Sequence, residues 1–146
     1  MNSNYQSTFS IVARDSKTGN IVVAGGSHWF AYATLVPFIE AGIGAIATQA
    51  ETNVSYGPDG INLLKRGKSP LEVVNKLTSD DEGKDHRQLL VIDNTGKTAA
   101  YTGRKCVKYA YHYTEDNFAV AGNMLATDKI LETVISTFKN LQELPF

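Results

Sequence analysis

Polar side chains without an evident folding role border the apolar segments of this sequence at four places. The segment 48–53 (Thr-Gln-Ala-Glu-Thr-Asn) follows one apolar run and the segment 85–88 precedes another, whereas Thr102 and Asn123 each end a run. Binding and catalytic groups concentrate where regular elements give way to loops. Asn123 has two interpretations that the sequence leaves open: an N-cap for a following helix, or an amide donor that stabilises an oxyanion.

Metal chemistry is poorly matched by the sequence. The histidines lie far apart, and none has a second His or Cys at the spacing of a metal site; they are His28, His86 and His112. The acidic segment 80–85 lacks the spacing of a calcium-binding EF-hand. We therefore expect neither a metal nor another cofactor.

A glycine motif at 42–47 (Gly-Ile-Gly-Ala-Ile-Ala) formally matches the dinucleotide-binding pattern G-x-G-x-x-G/A. In that pattern the glycines form a tight turn between a strand and a helix whose N-terminus binds the pyrophosphate. Here the preceding strand would contain Pro37, which cannot donate to a central ladder. The following helix would run through 52–55, a poor helix former. The sequence therefore favours a closely packed strand over a nucleotide site.

Serine and cysteine nucleophiles of the common types are also weakly supported. Cys106 is the only cysteine, and a lone cysteine is more often a small buried hydrophobe than a nucleophile. The chain has no G-x-S-x-G elbow. Ser27 directly precedes His28, but adjacent residues of a strand point to opposite faces and would not form a pair.

Alternating and apolar runs predict the strands that must position these polar segments. Two pairs of runs flank turn-rich segments, and each pair predicts an antiparallel hairpin. Two further apolar runs predict short buried strands. The predicted hairpin strands are 8–14 with 21–26 and 88–93 with 97–101, and the other strands are 43–50 and 118–121.

Three helices are predicted as well. The first begins at Pro58, and the second begins with a capping box of Ser69 and Glu72 and a proline at its first position. The third runs from about Met124 to Leu141. Because strands both precede and follow a pair of helices, the order favours a layered α+β domain over a parallel βαβ sheet. The apolar stripe predicted for the second helix is Leu71, Val74 and Leu77.

Composition limits the classes of protein and of partner. The 146 residues fit one domain, and 42% apolar with 20% charged residues is typical of globular proteins. A net charge of −1 does not favour a nucleic-acid or anionic-membrane partner. Residues 31–50 are largely apolar, but Glu40 and Pro37 lie near their middle, so no membrane span is predicted. A single cysteine and no signal-peptide pattern favour a cytoplasmic location.

Several segments together resemble a known family, in the same order along the chain. They are 8–15, 27–30, 41–45, 47–53, 56–60, 87–88, 93–96, 99–103, Cys106 and 122–125. The sequence is similar to the DUF1028 family, an uncharacterised group placed with the N-terminal-nucleophile (Ntn) hydrolases, from Thr8 to about Phe138. The resemblance implies an αββα sandwich of the Ntn-hydrolase type, shortened here at its C-terminus.

The same resemblance implies a mechanism. Ntn hydrolases cleave amides with an N-terminal Thr, Ser or Cys, and the α-amino group of that residue, which titrates near pH 8, accepts the hydroxyl proton. By position, Thr8 would be the nucleophile and Asn123 an oxyanion donor. The residues expected to bind substrate are Ser27, Thr48, Gln49, Asn53 and Arg87, with Arg87 suited to a carboxylate.

Two departures from the family pattern bear on this expectation. Residues 1–7 precede Thr8 as an expected flexible leader, and while they stay attached the Thr8 nitrogen is an amide rather than an amine. Family chains usually continue with another strand, whereas this sequence stops at Phe146. We expect an Ntn-type amidohydrolase acting on a small amide, with a non-catalytic small-molecule binding or assembly module as the alternative. An unpaired sheet edge in a shortened sandwich would favour a homo-oligomer.

Overall fold

The structure, a computed structural model, describes residues 7–141, so the expected leader lies outside the described residues except for Ser7. The strands are β1 (Thr8–Arg14), β2 (Ile21–Ser27), β3 (Pro37–Glu40), β4 (Gly44–Ala50), β5 (Arg87–Asp93), β6 (Thr98–Thr102), β7 (Tyr111–Glu115) and β8 (Phe118–Asn123). The α-helices are α1 (Tyr32–Leu35), α2 (Tyr56–Lys65), α3 (Pro70–Ser79) and α4 (Lys129–Asn140).

The strands form two four-stranded antiparallel sheets. The order is β2-β1-β8-β7 in the first sheet and β3-β4-β5-β6 in the second. Both predicted hairpins are confirmed, since β1 pairs with β2 and β5 pairs with β6. Because β1 also pairs with β8, Thr8 at its first position has Ser27 on one side and Asn123 on the other.

Apolar side chains pack on both faces of each sheet. Val12 of the first sheet and Leu90 of the second belong to a cluster between the sheets. On the outer face of the second sheet, Ile46 packs with α2 and α3. On the outer face of the first sheet, Phe118 packs with α4. The predicted α+β class is confirmed, with helices on the outer faces of two stacked sheets.

The start of α3 agrees with the predicted capping box. Ser69 Oγ accepts from the backbone N–H of Glu72 at 3.4 Å, and the Glu72 carboxylate accepts from the backbone N–H of Ser69 at 2.8 Å. The predicted apolar stripe is wrong at one residue, because Leu71 is 62% exposed. The buried apolar positions of α3 are Pro70, Val73, Val74 and Leu77.

The glycine motif lies in a β-hairpin. Pro37 begins β3, an edge strand where a missing N–H removes no central ladder bond. Gly42 lies in the turn after β3 with φ +75°, and the next element is β4 rather than a helix. The dinucleotide turn, which needs a helix directly after the glycines, is therefore absent here.

The remaining differences lie at helix starts and in one strand. α2 begins at Tyr56 rather than Pro58, and α4 begins at Lys129 rather than near Met124. The N-cap residue of α4 is Asp128, so the N-cap interpretation of Asn123 is wrong. β7 has no predicted counterpart and pairs with β8 at the edge of the first sheet.

No helix within residues 7–141 is long and apolar enough to cross a membrane.

Candidate active site

A cavity of about 380 Å³ opens at the end of the sheets where β1 begins and β2, β4 and β8 end. Four residues predicted from the sequence line it together: Thr8, Ser27, Gln49 and Asn123. Each comes from a different strand, and Gln49 comes from the second sheet. The pairing of distant strands therefore brings these four polar side chains to one place.

Thr8 lies between a hydroxyl and an amide. Its side-chain oxygen is 2.7 Å from Ser27 Oγ, at hydrogen-bonding distance. Ser27 Oγ also accepts from the backbone N–H of Trp29 at 3.0 Å, which holds the serine beside Thr8. On the other side, Asn123 is the ladder partner of Thr8, and directly opposed side chains of antiparallel strands lie about 5 Å apart on the same face. This arrangement places a polar side chain on each side of Thr8.

A buried polar layer behind the cavity joins the two sheets. Ser10 donates a hydrogen bond to Gln49 Oε1. Gln49 Nε2 donates to Gln88 Oε1 at 2.6 Å, and Asn123 Nδ2 donates to the same oxygen at 3.1 Å. Gln49, Gln88 and Asn123 are each at most 2% exposed. Because such groups must be paired when buried, the layer fixes the orientation of the two amides that line the cavity.

Gln88 holds this layer in place, although the sequence prediction assigns it no role. Its amide nitrogen has two N–H groups and three acceptors within hydrogen-bonding distance: Thr102 Oγ1 at 2.9 Å, the Gly122 carbonyl at 2.9 Å and the Tyr111 carbonyl at 3.1 Å. The alternation of side chains between the two faces of β5 is the sequence signal that identifies Gln88. Gln88 shares one face of β5 with Leu90 and Ile92, both of which pack between the sheets, and a glutamine on that face requires partners.

Three other predicted site residues lie outside the cavity. Thr48 Oγ1 donates to the Asn53 carbonyl at 3.1 Å, and Asn53 Nδ2 donates to Asp81 at 3.3 Å. Arg87 donates to Asp81 at 3.0 Å and to the backbone carbonyl of Glu51 at 2.7 Å. Thr48, Asn53 and Arg87 therefore hold the segment 50–53, of which Ala50, Glu51 and Thr52 line the cavity.

Asp81 accepts the hydrogen bonds of Arg87 and Asn53 that hold the segment 50–53 in place. Partial burial raises the pKa of its carboxyl, but hydrogen bonds from Arg87, Tyr56, Gly83 N–H and Asn53 outweigh burial and lower the pKa to about 2. Tyr56 Oη donates to Asp81 at 2.8 Å, and burial together with this carboxylate raises the pKa of the phenol. Asp81 is thus ionised throughout the neutral range and keeps Arg87 engaged.

The kinds of charged and metal-binding side chain available at the cavity limit the reactions that it can catalyse. Among the described residues, its lining includes one carboxylate, Glu51, and no lysine, arginine or histidine. Within residues 7–141, no three His, Cys, Asp or Glu side chains converge as metal ligands. A threonine hydroxyl between polar side chains can act as a nucleophile only if a base accepts its proton, and the described residues that line the cavity include no histidine or lysine to do so.

A comparison with models of protein families shows which family the chain belongs to. A model of a family of unknown function, DUF1028, matches residues 8–146. The chain belongs to the DUF1028 family. The resemblance to DUF1028 is confirmed, and the part of the chain that matches the family model begins at Thr8.

A solved DUF1028 structure has the same architecture. It is the crystal structure of protein SPO2555 from Silicibacter pomeroyi, which is 30% identical in sequence and superposes with a TM-score of 0.88. The match covers 91% of this chain and 59% of that chain, so this DUF1028 chain spans about three fifths of that protein's length. The comparison with curated proteins gives no match.

Proposed function

We propose that this DUF1028 protein is an Ntn-type amidohydrolase that cleaves a small amide or peptide-like substrate, with Thr8 as its N-terminal nucleophile. The observation that carries the proposal is the position of Thr8. Its hydroxyl lines the cavity at the first residue of β1, beside Ser27 and opposite Asn123. The match to the family model also begins at this residue.

The reaction begins with release of residues 1–7, which converts the Thr8 nitrogen from an amide to an amine. That amine takes the proton from Oγ1 while the oxygen attacks the substrate carbonyl carbon. Collapse of the tetrahedral intermediate breaks the C–N bond and passes the proton to the departing amine, leaving an ester on Thr8. Water then attacks the ester, releases the acid and restores the hydroxyl.

Asn123 is the proposed donor to the oxyanion. One N–H of its amide is held by Gln88 Oε1, and an amide nitrogen carries a second N–H. Because Gln88 fixes the amide before substrate arrives, the second donor needs no reorganisation as negative charge develops. Gln49 and Ser27, which line the cavity with Thr8 and Asn123, are proposed to bind the polar atoms of the substrate.

The stacking of helices outside two facing sheets supports assignment of the fold to the αββα Ntn-hydrolase type. In this proposal the open end of the sandwich is the catalytic end, because β1 begins there and delivers its first residue to the cavity. The partner is a small molecule, and we extend the proposal to a homo-oligomer that acts in the cytoplasm.

A binding module without catalysis is the alternative, and one contact favours it. The Ser7 carbonyl accepts from the backbone N–H of His28 at 3.2 Å, so the residue before Thr8 is bonded to the residue that directly follows β2. If Ser7 stays attached, Thr8 keeps an amide nitrogen and lacks its base. The cavity then binds a small molecule without cleaving it.

A panel of small amides tests the proposal through the threonine hydroxyl. We expect Thr8→Ala to abolish amine release from any substrate that the unchanged protein hydrolyses, and Thr8→Ser to retain part of it because the hydroxyl remains. Thr133→Ala is the matched control, since Thr133 is exposed on α4 away from the cavity. Full hydrolysis by Thr8→Ala would refute Thr8 as the nucleophile.

A further inference from the structure

Apolar and aromatic side chains line the cavity together with its polar residues, and we refer to them as the apolar wall. The apolar wall consists of Trp29, Tyr32, Leu35, Val36, Val54 and Met124. Helix α1 contributes Tyr32 and Leu35, and Val36 directly after it is buried. Thr8, Ser27, Gln49 and Asn123 line the same cavity at the strand ends, so a ligand whose amide group binds there has the apolar wall within the same cavity for its remaining atoms.

The charges around the cavity disfavour an anionic ligand. Glu51 is the one charged side chain among its described lining residues. Arg87, the cation beside Glu51, is engaged by Asp81 at 3.0 Å, by the Glu51 carbonyl at 2.7 Å and by the Glu51 carboxylate at 3.8 Å. A ligand carboxylate would lose its hydration without gaining a cationic partner, because Arg87 is already engaged by Asp81 and Glu51.

We propose that this cavity selects neutral amides whose acyl group is apolar or aromatic and discriminates against amides that carry a carboxylate. The proposal rests on the proposed function, because it assigns the amide end of the ligand to Thr8 and Asn123. A volume of about 380 Å³ is near the lower limit for small-molecule sites, which suits an acyl group with a single aromatic ring. The apolar wall contributes affinity by removing that ring from water.

Trp29 allows binding to be measured without catalysis. It is the only tryptophan of the chain, it lines the cavity, and it is 53% exposed. The probes are 3-phenylpropanamide and the same molecule with a carboxylate at the para position of its ring. We titrate each into full-length Thr8→Ala protein, in which the nucleophile is absent, and follow tryptophan emission. We expect a blue shift, with the neutral amide binding at least tenfold more tightly than the carboxylate.

A charge placed on the apolar wall completes the test. Val54 is partly exposed, so Val54→Lys adds a cation at the cavity without disturbing the core. We expect it to tighten binding of the para-carboxylate about tenfold and to weaken binding of the neutral amide. Leu71→Lys is the matched control, since Leu71 is exposed on α3 outside the cavity, and it should change neither affinity.

Failure of this proposal is distinguishable from failure of the proposed function. Equal affinities, tighter binding of the carboxylate, or no binding of the neutral amide would overturn the proposed selectivity, even if Thr8-dependent hydrolysis of other amides were observed. Conversely, a preference for the neutral amide together with hydrolysis that survives Thr8→Ala would support the selectivity and refute the nucleophile.

Discussion

Replacing Gln88 with leucine tests whether the buried polar layer supports the cavity. Leucine preserves much of the volume but removes the oxygen that accepts from Gln49 at 2.6 Å and from Asn123 at 3.1 Å. Both amides are nearly inaccessible to water, so each loses a partner that solvent cannot replace. A buried donor left unpaired costs about 1–3 kcal/mol.

The acceptors of the Gln88 amide nitrogen are Thr102 Oγ1, which also lies 2.8 Å from His112 Nδ1, and two carbonyls of the paired strands β7 and β8. The net effect on the free energy of unfolding therefore follows mainly from two opposing contributions. The two unpaired amides together cost roughly 4 kcal/mol, whereas burying leucine in place of glutamine returns roughly 1–2 kcal/mol. We therefore expect Gln88→Leu to destabilise the protein by about 2–3 kcal/mol, measured as the shift of the urea midpoint at constant slope.

A double-mutant cycle separates this mechanism from a general packing defect. When Gln49 is also replaced by leucine, one of the unpaired amides no longer exists. The double variant should then be less destabilised than the sum of the single variants by about 1–2 kcal/mol. The control cycle combines Gln88→Leu with Ser69→Ala at the start of α3, and there the two effects should add. Additivity of the glutamine pair within about 0.5 kcal/mol would refute the account of the polar layer.

Two further predictions concern the supports of the cavity and the start of α3. Because the pKa of Asp81 is about 2 in the folded protein and 3.8 for an unperturbed aspartate, its ionised form contributes about 2 kcal/mol of stability above pH 4. That contribution is lost as the pH falls toward 2, so Asp81→Asn should flatten the acid branch of a plot of unfolding free energy against pH; an unchanged acid branch would contradict this. Ser69→Ala removes the capping oxygen and should lower the free energy of unfolding in urea by about 1 kcal/mol. Ser136→Ala, at an exposed position of α4, should lower it little. Equal losses of unfolding free energy in the two variants would refute the cap assignment.

Local chemistry explains which elements the sequence could predict. The hairpins β1–β2 and β5–β6 and the start of α3 depend on turn clusters and a capping box within a few residues, so their signals lie close together in the chain. Leu71 shows the limit of that approach. Its spacing suits an apolar stripe, but the side of α3 that meets the second sheet is set by tertiary packing, and Leu71 faces solvent.

Partners distant in sequence explain what could not be predicted. Tyr111–Glu115 becomes a strand only because β8 supplies its ladder. Asn123 is adjacent to a predicted helix in sequence, yet its amide is held by Gln88 across the sheets. The same holds for the cavity, which Thr8, Ser27, Gln49 and Asn123 line as expected. Asn53 and Arg87 instead donate to Asp81, and Thr48 donates to the Asn53 carbonyl, through loop contacts that no local pattern encodes.

The central claim, that Thr8 is an N-terminal nucleophile, is tested most directly by determining which residue begins the mature protein. Intact-mass measurement of protein purified from its native host shows whether the Ser7–Thr8 bond has been cleaved. We predict a mass that corresponds to a chain beginning at Thr8, whose free amine would serve as the base. A mass showing that Met1–Ser7 or Ser7 alone is always retained would contradict self-activated catalysis by Thr8 and leave the cavity as a binding site.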